Sequence, residues 1–318
     1  MFGIKTKIKW QVLRTRLYFE RLHGRVFVLP LLIFVLFTVA FFSYSNFLPY
    51  TDLWDDWAGA NGNALHFCER NRTDSIIRQP SNTWSNLGFL VVSLFILTLG
   101  INDLKYKDRK KSDNFLVRYP IFTILFGVSC LYTFVGSFMY HASLTRFFQI
   151  IDQAGMYAMV IMVLVFNIYK IFPLVWINGG WKSTHGILVA FALLLNYLIL
   201  TRIMQMNINV FFPMFVIMVF ITSVYYLMFV SKEHYFTNYL WAAFATLLLG
   251  AVIWILDRTK TVCSPESIFQ GHALWHLFTA ASALLIYLYY RSGHVPLEYS
   301  LALSNERRAR RLARRNRA

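Results

Sequence analysis

Charged residues are scarce in this 318-residue chain. Asp, Glu, Lys and Arg together make up only 14% of it, whereas 57% of its residues are hydrophobic. So few charges would not cover the surface of a water-soluble domain of this size, which excludes an ordinary soluble fold. The chain also has only three cysteines, too few for a disulfide scaffold. Lipid must therefore be the solvent for most of the chain.

Acidic residues are particularly few, with 15 Asp and Glu against 31 Lys and Arg, and the formal net charge is +16. An excess of this size could indicate a nucleic-acid partner. Here, however, the basic residues lie in short segments between long apolar runs. That distribution is typical of a membrane protein, and we expect no nucleic-acid partner.

Eight apolar runs are long enough to cross a bilayer as helices, which takes about 20 residues. They cover residues 26–47, 83–100, 119–140, 148–172, 184–200, 210–230, 239–256 and 269–290. The first run is too long for the apolar core of a cleaved signal peptide, and no small-residue cleavage site follows it. The sequence therefore predicts an all-α fold, a polytopic bundle of transmembrane helices.

Basic residues before the first span and in the C-terminal tail determine the predicted orientation. They indicate that both ends are cytoplasmic, which an even number of spans satisfies. The segments 50–80 and 257–268 then lie on the opposite side. Cys68 and Cys263 fall in these segments and would form a disulfide if that compartment is oxidising, whereas Cys130 falls within a span. The membrane, whether endoplasmic reticulum, Golgi or bacterial inner membrane, and the oligomeric state stay open.

Polar side chains at the outer ends of several spans predict a functional site, because such groups are costly in lipid. Ser137 and His141 lie four residues apart at the end of the third span and share a helical face. Asp152 lies at the start of the fourth span. His272 and His276 begin the last span with the spacing that places two metal ligands on one face.

Three neutral imidazoles from two helices would leave a tetrahedral zinc ion one open position, as in catalytic zinc sites. Zinc would lower the pKa of a bound water to about 7 and would polarise a carbonyl group. Asp152 would orient that water or shuttle its proton, and Ser137 would donate to the developing oxyanion. A lone intramembrane histidine more often hydrogen-bonds a neighbouring helix, so this hypothesis requires all five residues at one depth.

These residues resemble a superfamily of seven-helix membrane hydrolases that contains alkaline ceramidases, adiponectin-type receptors and GPI-remodelling Per1-like proteins. The details favour the alkaline ceramidase family. Besides Asp152, the similar motifs are Phe67-Cys68-Glu69-Arg70-Asn71, Asn82-Thr83-Trp84-Ser85-Asn86, Gly136-Ser137-Phe138-Met139-Tyr140-His141-Ala142-Ser143-Leu144-Thr145 and His272-Ala273-Leu274-Trp275-His276. The resemblance implies a seven-helix catalytic domain at residues 65–292. An additional span would precede it within residues 1–64, and a basic tail would follow at residues 293–318.

The resemblance also implies an activity, the zinc-dependent hydrolysis of the N-acyl bond of ceramide or a related N-acyl lipid taken from the bilayer. The roles that it implies are zinc ligation by His141, His272 and His276, proton transfer by Asp152, oxyanion donation by Ser137 and a lumenal disulfide between Cys68 and Cys263. Two other functions stay open, a receptor or scaffold of the adiponectin-receptor type and a lipid esterase with the same zinc site.

Calcium is the point at which this chain departs from the family pattern. The resemblance implies a calcium ion beside the zinc, bound by an acidic loop, but His66 and Gln79 replace two of the expected carboxylates. Glu69 and Asn71 remain as oxygen ligands, although calcium prefers several carboxylates. The alternative is that these two residues hydrogen-bond a loop pinned by Cys68.

Overall fold

The computed structural model describes residues 27–47, 53–60, 67–106, 112, 114–177, 180–183, 185–202, 207–231 and 233–294. The basic N-terminal flank and the basic tail, on which the cytoplasmic placement of both ends depends, lie outside these residues. Within the described residues, the chain forms a bundle of helices with one small β-hairpin.

The helices follow the apolar runs of the sequence. In chain order they are α1 (Val28–Phe47), α2 (Pro80–Ser85), α3 (Leu87–Lys105), α4 (Phe115–Arg118), α5 (Pro120–Ser143), α6 (Arg146–Ile171), α7 (His185–Arg202), α8 (Ile208–Tyr225, continued by a π-helical turn at Tyr226–Val230), α9 (Thr237–Arg258) and α10 (Gly271–Arg291). Asn86 has helical backbone angles and joins α2 to α3, so the two helices form one span.

Seven segments of the described chain are long and apolar enough to cross a membrane. They are α1, α2 with α3, α5, α6, α8 with its π-helical turn, α9 and α10. The predicted all-α, polytopic fold is therefore confirmed, and the chain is a multi-pass membrane protein. The predicted span at residues 184–200 forms α7, whose apolar part, Gly186–Thr201, is shorter than the other seven segments.

The hairpin between α6 and α7 is a feature that the sequence analysis did not predict. Its strands are β1 (Leu174–Ile177) and β2 (Gly180–Ser183), which pair antiparallel. In this register Trp176 lies opposite Trp181. The connection between the fourth and fifth predicted spans therefore contains regular structure.

Two glycines bring α5 and α6 into backbone contact. A Cβ atom added at Gly136 would lie 2.7 Å from the backbone nitrogen of Asp152, and one at Gly155 would lie 2.7 Å from Cα of Thr133. Small residues at helix crossings allow this close approach in membranes, where van der Waals packing replaces the hydrophobic effect as the driving force. The first three turns of α6 are consequently held against the last three turns of α5.

The additional N-terminal helix, α1, packs on the bundle through aromatic rings. Phe37 and Phe41 both contact the Phe138 ring of α5 edge to face, with centroids 5.5 and 4.8 Å apart. Phe41 also contacts Trp84 of α2 at 5.9 Å. Each such pair contributes about 0.5–1.5 kcal/mol beyond the area that it buries. Most of the other large side chains of α1 are exposed, as expected for a helix at the lipid boundary.

Two ion pairs lie at one end of the bundle, which we call the inner end. Arg291 of α10 binds Asp103 of α3 through two hydrogen bonds of 2.5 and 2.9 Å, and both side chains are buried. Lys170 of α6 binds Glu233, between α8 and α9, at 2.7 Å. The opposite end, which holds His141, is called the outer end below.

Candidate metal centre

Three histidine side chains meet at the outer end. His141 lies in the last turn of α5, and His272 and His276 lie in the first two turns of α10. One ring nitrogen of each residue lies within 4.8 Å of those of the other two, and all three side chains are buried. A single metal ion could therefore contact all three rings.

Gln79 orients the ring of His141. This buried amide donates from its Nε2 to Oδ1 of Asn71 at 2.6 Å, so its oxygen faces His141 and accepts from Nδ1–H at 2.7 Å. Because a neutral imidazole carries one proton, Nε2 of His141 keeps a free lone pair. Hydrogen bonds to the non-ligating nitrogen are typical of histidines that bind metals.

Ser85 has the same effect on His276. Its hydroxyl donates to the carbonyl oxygen of Asn82 at 2.9 Å, so it accepts from Nδ1–H of His276 at 2.8 Å and leaves Nε2 free. His272 is positioned differently, by stacking on the ring of Phe67 with centroids 3.8 Å apart. Its buried Nδ1 has no hydrogen-bond partner among the described residues.

This set of donors fits zinc. With Zn–N distances of about 2.0–2.1 Å, two ligands of a tetrahedral ion lie about 3.3 Å apart. The Nε2 atoms of His141 and His272 are 3.1 Å apart. Zinc accepts neutral imidazole nitrogens, and three of them leave one position of a tetrahedron for water or substrate. A metal ion held only by these three rings would therefore keep one position open for a further ligand.

Ser137 and Asp152 lie beside the three rings. Ser137 is one turn before His141 on α5, and its hydroxyl oxygen is 3.4 Å from Nε2 of His276. The same hydroxyl hydrogen-bonds the side chain of Asp152 near the start of α6. The contact of Gly136 with the backbone of Asp152 makes this meeting possible. The structure therefore brings together all five residues that the sequence analysis selected for zinc chemistry.

A cavity of about 1040 Å³ opens from this group of residues. It extends along α6 from Gln149 to Val163 and along α10 from His272 to Ile286. At a rise of about 1.5 Å per residue, both distances correspond to about 21 Å. Its polar lining at the outer end consists of Ser137, Gln149, Asp152, Gln153, Asn207, Asn209, Arg258, His272 and His276. Away from that end the lining is mostly apolar, so the cavity suits a lipid chain.

Comparison with known proteins gives the family. Residues 59–303 match the Ceramidase family, and this range contains every helix from α2 to α10. The chain belongs to the Ceramidase family. No curated protein matches the sequence. Helix α1 lies before the matched residues, so the chain carries a helix outside the family region.

Asp257 holds two parts of the ceramidase domain together, although the sequence analysis did not select it. Its buried carboxylate accepts the backbone N–H groups of Cys68 and His272, both at 3.1 Å. Gly271 packs against it so closely that an added Cβ would lie 2.8 Å from Cβ of Asp257. The signal in the sequence is a carboxylate at the end of an apolar span, the type of feature that identified Asp152.

The predicted disulfide joins the first outer loop to the last. Cys68 and Cys263 are bonded, with Cα atoms 5.4 Å apart and a sequence separation of 195 residues. The neighbouring Arg70 side chain binds Glu266 of the last loop at 3.0 Å. Cys130 is buried in α5 as a free thiol. The loop that carries Phe67 is thereby held over the histidines.

Glu69 and Asn71, the expected oxygen ligands of calcium, make hydrogen bonds within the protein. The Glu69 carboxylate accepts the N–H groups of Ser81 and Asn82 at 2.7 and 2.9 Å, at the N-terminus of α2. Burial raises the pKa of this carboxyl group above its ordinary value, and the two backbone hydrogen bonds oppose the shift. Asn71 accepts from the amide of Gln79. These contacts correspond to the alternative in which both residues hold the disulfide-linked loop.

Replacing Gln79 with leucine should weaken zinc binding by about 10–100-fold, because Nδ1–H of His141 would lose its acceptor. The measurement is a zinc competition titration of the purified protein against a chelator of known affinity. Gln79→Glu is the matched control, since it keeps an acceptor and should keep most of the affinity. Equal zinc affinity in wild type and Gln79→Leu would contradict this role.

Proposed function

We propose that this member of the Ceramidase family is a zinc-dependent intramembrane amidase that hydrolyses the N-acyl bond of ceramide or a related N-acyl sphingolipid. The products are a fatty acid and a sphingoid base. The observation that carries the proposal is a group of three buried histidines at the polar end of a deep, mostly apolar cavity. The mostly apolar lining of such a cavity suits the hydrocarbon chain of a lipid substrate.

His141, His272 and His276 would hold the zinc ion. When bound, zinc would lower the pKa of a water molecule to about 7 and polarise the amide carbonyl. Asp152 would accept a proton as the water oxygen attacks the carbonyl carbon, and would pass it to the departing nitrogen. The C–N bond breaks, the acyl group keeps the water oxygen, and the amine leaves with the proton.

Ser137 would assist after this proton transfer. Its hydroxyl hydrogen-bonds Asp152 and lies close to His276, so it is near the reacting groups before the reaction begins. Once Asp152 is protonated, its carboxyl group can donate to Ser137. The serine proton is then free to turn toward the negative charge on the former carbonyl oxygen. In this scheme the Ser137 hydroxyl donates to Asp152 before the proton transfer and to the oxyanion after it.

We also propose that α7 crosses the membrane as an eighth span. Its 18 residues correspond to about 27 Å, close to the bilayer core of about 30 Å. It begins after the hairpin that follows the inner end of α6, and it ends five residues before Asn207, which lines the outer end of the cavity. Eight spans would leave both ends of the chain on one side, which their basic residues indicate to be the cytoplasm.

Removing zinc tests the proposed function. The purified protein should contain about one zinc ion per chain and release labelled fatty acid from ceramide. A strong zinc chelator should abolish the release, and added zinc should restore it. Full activity in metal-free protein would refute the zinc mechanism. Faster hydrolysis of phospholipid esters than of ceramide would favour an esterase, and metal binding without any hydrolysis would favour a receptor.

A further inference from the structure

Arg258 is a cation at the polar end of the cavity, and no described residue forms an ion pair with it. Among the described residues that line the cavity, it is the only Lys or Arg, and Asp152 is the only carboxylate. Its guanidinium carbon lies 5.3 Å from the centroid of the Trp254 ring, on the preceding turn of α9. The side chain is thus packed on an aromatic wall of the cavity.

An arginine at a helix end on the membrane surface is often only an anchor that reaches into water. Arg146, the first residue of α6 at the same end of the bundle, has that character, because it is exposed and does not line the cavity. Arg258 is half-buried and lines the same space as the zinc-site residues. A cation in such a partly apolar space is stabilised by an anionic partner.

The N-terminus of α8 lies at the same end of the cavity. Asn207, Ile208 and Asn209 all line it, and the first turn of α8 contains no acidic residue. The aligned peptide dipoles place a partial positive charge at this helix end. Arg258 and the start of α8 therefore favour negative charge in the same part of the cavity.

The shape of the cavity determines which part of a substrate would meet these groups. The apolar part, about 21 Å deep along α6 and α10, accepts a hydrocarbon chain. If the acyl chain lies there with its carbonyl at the histidines, the head group on the amine side stays at the outer end. That head group is then next to Arg258 and Asn207.

We infer that the preferred substrate is an N-acyl lipid whose amine-side head group carries a negative charge, and that Arg258 binds this charge. The inference rests on the proposed amidase function and specifies the charge of the head group that the site would bind. A phosphate, sulfonate or carboxylate presents the paired oxygens that a guanidinium binds through two parallel hydrogen bonds. Neutral ceramide lacks this group and leaves the cation without a partner.

Two matched substrate pairs test the inference in the zinc-loaded, full-length protein. The first is N-palmitoyl sphingosine and its 1-phosphate, and the second is N-palmitoylglycine and its methyl ester. Palmitate release is measured at equal mole fractions in the same detergent micelles. We expect kcat/KM to be at least about tenfold higher for an anionic member than for its neutral partner, mainly through a lower KM. The pair with the larger ratio distinguishes phosphate from carboxylate recognition.

The Arg258→Gln variant should bring the ratio of kcat/KM between the anionic and the neutral substrate close to one. The Arg258→Lys variant should retain part of this preference. Arg146→Gln removes the same charge at the same membrane face outside the cavity and should leave the ratio unchanged. Equal or lower kcat/KM for both anionic substrates would overturn the inference. So would an unchanged ratio in Arg258→Gln, or an equal loss on both members of a pair. If hydrolysis depends on His276 but shows no preference for charge, only the inference is refuted. If palmitate is released from none of the four substrates, the proposed amidase function is refuted as well.

Discussion

Changing His276 to alanine should abolish fatty acid release from ceramide while leaving a folded protein. The substitution removes one of three nitrogen donors, so the site would lose its zinc ion. Because a bound metal contributes several kcal/mol of transition-state stabilisation, we expect activity to fall at least about a thousandfold. The fold should survive, because the lost Ser85–His276 hydrogen bond contributes only about 1 kcal/mol.

The measurement combines zinc content, fatty acid release and thermal unfolding in one detergent. His234→Ala is the matched control, because His234 is exposed and lies in the segment of Glu233 at the inner end. It should keep both zinc and activity. Wild-type rates of release from His276→Ala would show that the three-histidine site is not the catalytic centre.

Changing Asp152 to asparagine should reduce kcat by about 10²–10⁴-fold while zinc content stays near one ion per chain. Asparagine has nearly the same shape and can still hydrogen-bond Ser137, but it cannot accept the proton of the attacking water. The loss should therefore appear in kcat, with little change in KM.

Asp56→Asn makes the same chemical change at an exposed position of the outer loop and should retain wild-type kinetics. Steady-state assays of both variants, with zinc analysis of the same samples, separate proton transfer from metal binding. If Asp152→Asn lost its zinc together with its activity, Asp152 would be supporting the metal site instead of moving protons.

The helices could be predicted from the sequence because lipid leaves the backbone few alternatives. A chain in the bilayer must satisfy its hydrogen bonds internally, so runs of about 20 apolar residues become helices. The spacing of His272 and His276 was equally informative, since residues four apart on a helix share a face. Span ends were less accurate. The second predicted span began at residue 83, whereas the helical segment begins at Pro80, before the apolar run.

The hairpin between α6 and α7 was missed because its strands are only four residues each. Runs this short do not show a clear period of two. The pair Asn178-Gly179 between them is a common hairpin signal, and it could have identified the turn.

The partners of the site residues could not be predicted, because they are far apart in the chain. Gln79 is 62 residues from His141, and Asp257 is 189 residues from Cys68. Local periodicity places a side chain on a helical face but does not say which distant group will meet it. In the sequence, Gln79 only marked a position at which a calcium-binding carboxylate was expected. In the structure, its amide oxygen accepts from His141, one of the three clustered histidines.

The Cys68–Cys263 bridge makes most of the ceramidase domain a closed covalent ring. Every helix from α2 to α9 lies within the 195-residue interval that it closes. A single proteolytic cut in any loop of that interval would open the ring, but the disulfide would still join the two fragments. The two histidines of α10 would therefore stay covalently linked to the fragment that carries His141. Only a reductant combined with the cut would separate the fragments.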